Sequence, residues 1–217
     1  MTGPHVLVLA KAPVPGLVKT RLCPPLTFRQ AADLARAALQ DTLDAVLACG
    51  AGRRLLALDG DAGDWLPPGF DVFAQQGRTF NERLAHAWQV AGGPGIQIGM
   101  DTPQVTADLL DGCLERLDEP GVDAVLGHAT DGGWWVIGAR EPHPAMFDAV
   151  PMSTADTGQA QGRCLDDLGW TYCRLPSLRD VDTAADACAV GAMAGGTRFA
   201  AVVTGLVSTG VLTCASS

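Results

Sequence analysis

An α/β fold, with a mostly parallel sheet and helices on both faces, is what this chain predicts on three observations. Short apolar runs without alternation, such as residues 6–10 and 124–127, read as strands buried on both sides. Other stretches place apolar residues at i, i+3 and i+4, most clearly Ala32, Ala35, Leu39, Leu43 and Val46, as amphipathic helices require. The two kinds of segment alternate, which is the pattern of βαβ units. With 217 residues, the chain has the length of one domain with a substantial core.

The first strand, residues 6–10, runs into a loop stiffened by Pro13 and Pro15 and loosened at Gly16. Thr27-Phe28-Arg29-Gln30 has the form of a capping box and opens a helix to about residue 49, which Gly50 and Gly52 end. Residues 54–58 read as a strand, and 71–74 as a short one after the Pro67-Pro68-Gly69 turn. Thr79-Phe80-Asn81-Glu82 is a second capping box, starting a helix to about 91 that Gly92-Gly93-Pro94 breaks. A strand over 95–100 meets Asp101-Thr102-Pro103; a helix over 106–117 leads to the strand at 124–127. Thr130-Asp131-Gly132-Gly133 then precedes a strand over 134–139.

Residues 140–157 carry Pro142, Pro144 and Pro151 and are expected to be a loop. A helix over 158–168 and a strand over 171–175 follow. Arg179-Asp180-Val181-Asp182 then leads into Thr183-Ala184-Ala185-Asp186, a cap-like start for a helix to about 193. One domain is therefore expected over residues 1–195, with 196–217 as a packed or frayed extension. Residues 199–215 have no charge, but two glycines and several Ser/Thr interrupt them. They fall short of the ~20 predominantly apolar residues a membrane span needs.

Composition narrows the function. Hydrophobic residues at 47% exclude a disordered chain. A net charge of -9 argues against nucleic acid or an anionic membrane as partner, since both reward broad basic patches. Of 15 basic side chains only two are lysine, Lys11 and Lys19, and both lie in the first loop. No acid precedes Asp33, so Lys11, Lys19, Arg21 and Arg29 form a local concentration of positive charge. Compact ammonium groups suit phosphate neutralisation. Seven scattered cysteines without a C-x-x-C pair fit neither a disulfide framework nor a zinc site. Buried thiols in a reducing cytoplasm are expected, and no signal peptide is recognisable.

In a parallel sheet the loops leaving the strands emerge along one edge, where ligands bind. Lys11 follows the first strand, Asp101 follows the strand at 95–100, and Asp182 ends at a helix N-terminus. Two carboxylates with lysines are what a magnesium-bound polyphosphate requires. Each piece also has a plainer reading: Asp101 as a turn residue, Asp180 and Asp182 as helix-start acids, and Asp131-Gly132-Gly133 as a hairpin turn. Asp59-Gly60-Asp61 reads as a turn rather than a metal motif, and the four histidines have no ligand spacing. Adjacent Trp134 and Trp135 face opposite sides of a strand, so core packing accounts for them. The P-loop needs Gly directly before Lys, where Val18 stands; no G-x-G-x-x-G follows the first strand, and no G-x-S-x-G is present.

The segment Lys11-Ala12-Pro13-Val14-Pro15-Gly16-Leu17-Val18-Lys19-Thr20-Arg21-Leu22 resembles the opening of a bacterial glycosyltransferase-A-like family labelled radical-SAM/selenodomain-associated transferase. That family is distantly similar to 2-phospho-lactate guanylyltransferase and the molybdenum-cofactor nucleotidyltransferases. Further matches follow in order: Gly77 with Glu82-Arg83-Leu84, Ile98 to Pro103, Asp131 to Trp134, and Asp180 to Thr183. Asn81 stands where the family usually has Gly, and nothing after about residue 195 has a counterpart. The resemblance implies a single-domain nucleotide-diphospho-sugar transferase (GT-A-like) fold. It also implies a divalent metal, Mg²⁺ or Mn²⁺, on Asp101 with Asp182 as second carboxylate.

The expected function is a metal-dependent, nucleotide-using transferase that moves a nucleotidyl group from an NTP to a small phosphorylated or acidic acceptor. Lys11, Lys19 and Arg21 would hold the phosphates, and Asp101 would act with them at the reacting centre. Pro15, Gly16, Glu82, Arg83, Thr102, Asp131, Gly132 and Gly133 would bind the substrates, the last three on the acceptor side. Glycosyl transfer from a nucleotide sugar, and nucleotide binding without turnover, are the alternatives.

Overall fold

The computed structural model describes residues 3–214. A seven-stranded sheet runs through the molecule in the order β3-β2-β1-β4-β6-β5-β7. The strands are β1 His5–Lys11, β2 Arg53–Asp59, β3 Asp71–Ala74, β4 Gly95–Ile98, β5 Ala124–Ala129, β6 Trp134–Ala139 and β7 Tyr172–Leu178. All neighbours pair parallel except β6, which lies antiparallel between β4 and β5. The Asp131-Gly132-Gly133 turn therefore joins two adjacent strands, as its hairpin reading required.

Helices α1 Phe28–Ala48, α2 Phe80–Ala91, α3 Ala107–Asp118, α4 Thr157–Asp167, α5 Ala184–Met193 and α6 Arg198–Ser208 surround the sheet. One face of the sheet packs Val6, Val8, Ile96 and Ile98 against Ala32, Ala35, Leu39 and Leu43 of α1 and Leu110 and Leu117 of α3. The other packs Leu7, Leu9, Leu55 and Ile137 against Leu84, Ala87 and Trp88 of α2 and Leu165 of α4. The expected capping boxes are present at Thr27 with Gln30 and at Thr79 with Glu82, and a third joins Thr183 to Asp186. Each satisfies N–H groups that the first helical turn leaves without partners.

Several boundaries differ from the sequence reading for physical reasons. Strand β7 runs on to Leu178 through Pro176, which an edge position tolerates because no neighbour needs its missing N–H. The proline-rich loop contains a 3-10 turn, Pro144–Phe147, whose Met146 and Phe147 are fully buried. Asn81 fastens α2 to that region, donating from Nδ2 to the carbonyls of Phe147 and Val150 at 2.7 and 2.9 Å.

The segment after residue 195 forms α6 over Arg198–Ser208, and Ala215 to Ser217 lie outside the described residues. Phe199, Val203 and Leu206 of α6 close over Ala31, Leu34 and Ala38 of α1. This explains why α1 is apolar on two faces: the sheet covers one and α6 the other. Asp41 of α1 accepts from the backbone N–H groups of Arg198 and Phe199 at 3.1 and 2.8 Å, so a side chain from one helix caps the next. The reading of all seven cysteines as thiols is corrected here. Cys188 of α5 is disulfide-bonded to Cys214, while Cys49 and Cys113 are buried thiols. A separation of 26 residues hid the pair, because only the turn of the chain through α6 brings its ends together. No helix among the described residues is long and apolar enough to cross a membrane.

His5 opens β1 almost without exposure, edge-on to Trp88. Burial, with the nearby charge of Arg53, lowers its pKa from the ordinary 6.5 to about 4. The folded chain thus refuses a proton that the unfolded chain takes up below 6.5, so stability falls as pH drops from there towards 4. The loss attributable to His5 is ~3 kcal/mol across that window. Urea unfolding between pH 7 and 4 should show it in the native chain, with a correspondingly smaller slope in His5→Gln.

Candidate functional site

The C-terminal ends of β1, β2, β3, β4, β5 and β7, with the start of the reversed β6, surround one cleft of about 510 Å³. Lys11 ends β1 and Asp59 ends β2, and the Asp59 carboxylate lies 3.8 Å from the Lys11 ammonium and 3.6 Å from the Arg83 guanidinium. These three side chains form one wall. Asp101 and Thr102 follow β4 at the centre. Asp131 follows β5, and Asp180 and Asp182 follow β7, forming the opposite wall.

The two lysines have different surroundings. Lys11 is 44% exposed in its side chain and borders the cleft. Lys19 is 9% exposed, and its ammonium lies 2.7 Å from Asp101 and 3.3 Å from Asp182 while also donating to the Val181 carbonyl. Burial would pull its pKa down, but the two carboxylates outweigh that and raise it, so Lys19 stays charged. Asp101 and Asp182 do come together, as the sequence reading required, but with this ammonium between them. Lys19 borders a smaller adjoining hollow with Arg21, whose guanidinium is 76% exposed and lies 3.3 Å from Asp182. The lysine has a left-handed backbone, φ 48°, just before a 3-10 turn over Thr20–Leu22.

A tighter acidic group stands beside this pair. Asp131, Asp180 and Asp182 each bring a carboxylate oxygen within 4.8 Å of the others. Burial, and then the charge of Asp131, push the Asp180 carboxyl up to about 6 from 3.8. Burial is the larger cause, and the neighbouring carboxylates add to it. An all-oxygen donor set with excess negative charge fits a hard divalent cation such as Mg²⁺ or Mn²⁺. Asp180, rated a helix-start acid from sequence, belongs to this set as much as Asp182 does.

Other expected ligand residues have structural tasks in the fold. Glu82 is exposed and accepts from the N–H groups of Arg78 and Thr79 at 2.6 and 3.3 Å, which also lowers its pKa; it caps α2 and does not line the cleft. Pro15 and Gly16 border neither hollow; Gly16 supplies the positive φ of 80° that turns the first loop. Gly132 likewise does not line the cleft. Its φ is 96°, and a Cβ there would collide with the Ala155 carbonyl oxygen, so glycine lets the turn press against the segment before α4. Gly133, by contrast, lines the cleft and donates its N–H to Asp131 at 2.8 Å, fixing that carboxylate. Thr102 is buried at the cleft with no partner for its Oγ1 among the described residues.

Sequence reasoning passed over Asp59, Gln75, Phe80 and Gln97, which all line the cleft. Asp59 carried a usable signal, since it ends a strand at the ligand-binding edge as Lys11 does. Gln97 had none, being one polar residue inside the apolar run of β4. Trp134 and Trp135 divide as expected. Trp135 is buried on the α1 side and donates to the Pro176 carbonyl, half-buried Trp134 lies on the α2 side, and both line the cleft.

Known structures share this fold. A Desulfovibrio desulfuricans G20 structure, provisionally described as a nucleotide-diphospho-sugar transferase, is 28% identical over 96% of both chains, with a TM-score of 0.87. A cytidylyltransferase from Leptospira borgpetersenii serovar Hardjo-bovis covers 98% of this chain and 97% of its own at 10% identity and TM-score 0.57. A 4-diphosphocytidyl-2C-methyl-D-erythritol synthase from Anaerococcus prevotii DSM 20548 matches 82% of this chain and 88% of its own at 10% identity and TM-score 0.51. The last two are alike in fold alone. No curated protein matches the sequence. The fold is that of the nucleotide-diphospho-sugar transferases, and the match over residues 33–154 to the DUF2064 family, described as an uncharacterized protein conserved in bacteria, makes this chain a member of it.

Proposed function

We propose that the chain is a metal-dependent transferase that moves a nucleotidyl group from an NTP to a small acceptor bearing phosphate or carboxylate. The likeness to the D. desulfuricans structure supports a nucleotide-using transferase. The observation that carries the reading is the division of one cleft into a basic wall, with Lys11 and Arg83, and an acidic wall, with Asp131, Asp180 and Asp182.

Asp131, Asp180 and Asp182 would hold the divalent cation, with Asp101 next to them in contact with Lys19. The cation would supply charge neutralisation and orientation at the phosphates. Lys11 and Arg21, both exposed at the cleft, would meet the outer phosphates and offset the charge that grows on departing pyrophosphate. Arg83, shared with Asp59, would steady the same wall. Lys19 would act as a positioning residue rather than a phosphate ligand, holding Asp101 and Asp182 at a fixed separation. The cleft lining contains no histidine. An acceptor that arrives already ionised needs no strong base, and this fits a phosphate or carboxylate nucleophile.

Product analysis tests the reaction. Incubation with an NTP and a panel of phosphorylated and acidic acceptors should release pyrophosphate. Release of a nucleoside diphosphate from a nucleotide sugar would instead establish glycosyl transfer. Metal binding has its own readout: Mg²⁺ or Mn²⁺ at 100 times its dissociation constant should stabilise the native chain by ~2.7 kcal/mol. Asp180→Asn and Asp182→Asn should remove most of that gain in a thermal-shift assay, and an undiminished gain in both would discard the ligand assignment. Lys19→Met leaves two facing carboxylates without their shared cation. It should cost ~1–3 kcal/mol in urea unfolding, below the value for a fully buried pair because both acids are partly exposed.

A further inference from the structure

Gln75 follows β3 by one residue, and its backbone N–H continues the ladder by donating to the Leu58 carbonyl at 3.0 Å. Its side chain reaches across the ends of two strands. Nε2 donates to the Ala10 carbonyl of β1 at 2.8 Å and to the Ala57 carbonyl of β2 at 3.0 Å. Both hydrogens of the amide are therefore used. The alternative orientation would set Oε1 against two carbonyl oxygens, so the hydrogen-bond partners fix which atom points where. What remains is Oε1, with no hydrogen bond to any described residue, on a side chain that lines the cleft.

This makes a rigid acceptor anchored to the sheet rather than a swinging polar side chain. It lies next to Lys11, the residue after Ala10, and the Asp59 carboxylate on the same wall is also an acceptor. Phe80 lines the cleft as well, 43% exposed although aromatic, and an exposed aromatic side chain is a stacking partner for a planar group. A flat heterocycle with outward N–H groups meets all three features.

We infer that Gln75 is a specificity-determining residue for the nucleobase, selecting bases that carry an exocyclic amino group (cytosine, adenine or guanine) over their oxo counterparts. The inference rests on the nucleotide reading above and adds the base class to it. Cytosine and uracil show why the acceptor discriminates. Cytosine offers an amino group at position 4, where uracil has a carbonyl oxygen that would confront Oε1; the N3–H of uracil lies one ring atom away and meets Oε1 only if the base shifts along the rim. A site set to receive an N–H at one position holds less tightly the analogue that must shift to supply it, because the bound base cuts the acceptor off from water.

The test is calorimetric titration of the full chain with three matched pairs, CTP and UTP, ATP and ITP, GTP and XTP, in Mg²⁺ without any acceptor. At least one amino-bearing triphosphate should bind about 10-fold or more tightly than its oxo partner. Gln75→Met should bring that pair to within about 3-fold by weakening the tighter member, leaving the oxo member unchanged. Equal affinity within every pair for the native chain overturns the inference while leaving the nucleotide reading intact, as does discrimination that survives in a folded Gln75→Met. Absence of binding by all six overturns the nucleotide reading itself, and this inference with it. Should Gln75→Met fail to fold, the three pairs measured on the native chain alone still decide.

Discussion

One buried ammonium holds the working end of this protein together. Lys19 belongs to the loop after β1, yet its partners are Asp101 after β4 and Val181 and Asp182 after β7. Strands β4 and β7 are separated by two others in the sheet, so the contact spans half of the strand ends. The Val181 N–H donates to the Asp101 carbonyl at 2.9 Å, and the Gln104 side chain donates to the Arg179 carbonyl, which closes the same junction from the other side. Without a cation there, two carboxylates would face each other across the join and push it apart. The site's shape is thus an electrostatic consequence of one side chain, and the backbone hydrogen bonds secure what that charge permits.

The separation of charge follows from this arrangement. Lys19 and Arg21 are drawn towards Asp101 and Asp182, which leaves Asp131 and Asp180 with little neutralisation. On the other wall Asp59 is shared between Lys11 and Arg83 at distances too long for tight pairing. The chain carries a net charge of -9, yet the cleft is not uniformly acidic. It brings basic and acidic groups together within one volume, which is what a ligand carrying both phosphate and metal would need.

The fold was legible because its signals are local. Apolar runs, helical spacing and Ser/Thr-type caps act over a few residues, and the capping boxes at Thr27 and Thr79 formed as their sequences required. Loop residues at strand ends were also readable: Lys11, Arg21, Asp101 and Asp131 all reach the cleft. What escaped depended on distance in the chain. Glu82 satisfied a capping rule and a family motif at once, and only the geometry separates the two tasks. Gln75 gives no clue in sequence, since its role comes from two carbonyls on strands far from it. The bond between Cys188 and Cys214 likewise needs α6 in place before the two sulfurs meet.

The reversed strand β6 has a spatial consequence. A parallel strand directly after β5 would require a long crossover through a helix on one face of the sheet. A four-residue turn, 130–133, makes the connection instead. The residues that line the cleft on this side include Met152 to Ala155, from the segment before α4. That stretch, 151–156, has no regular structure, so its sequence can change at the rim of the cleft while the sheet beneath stays the same.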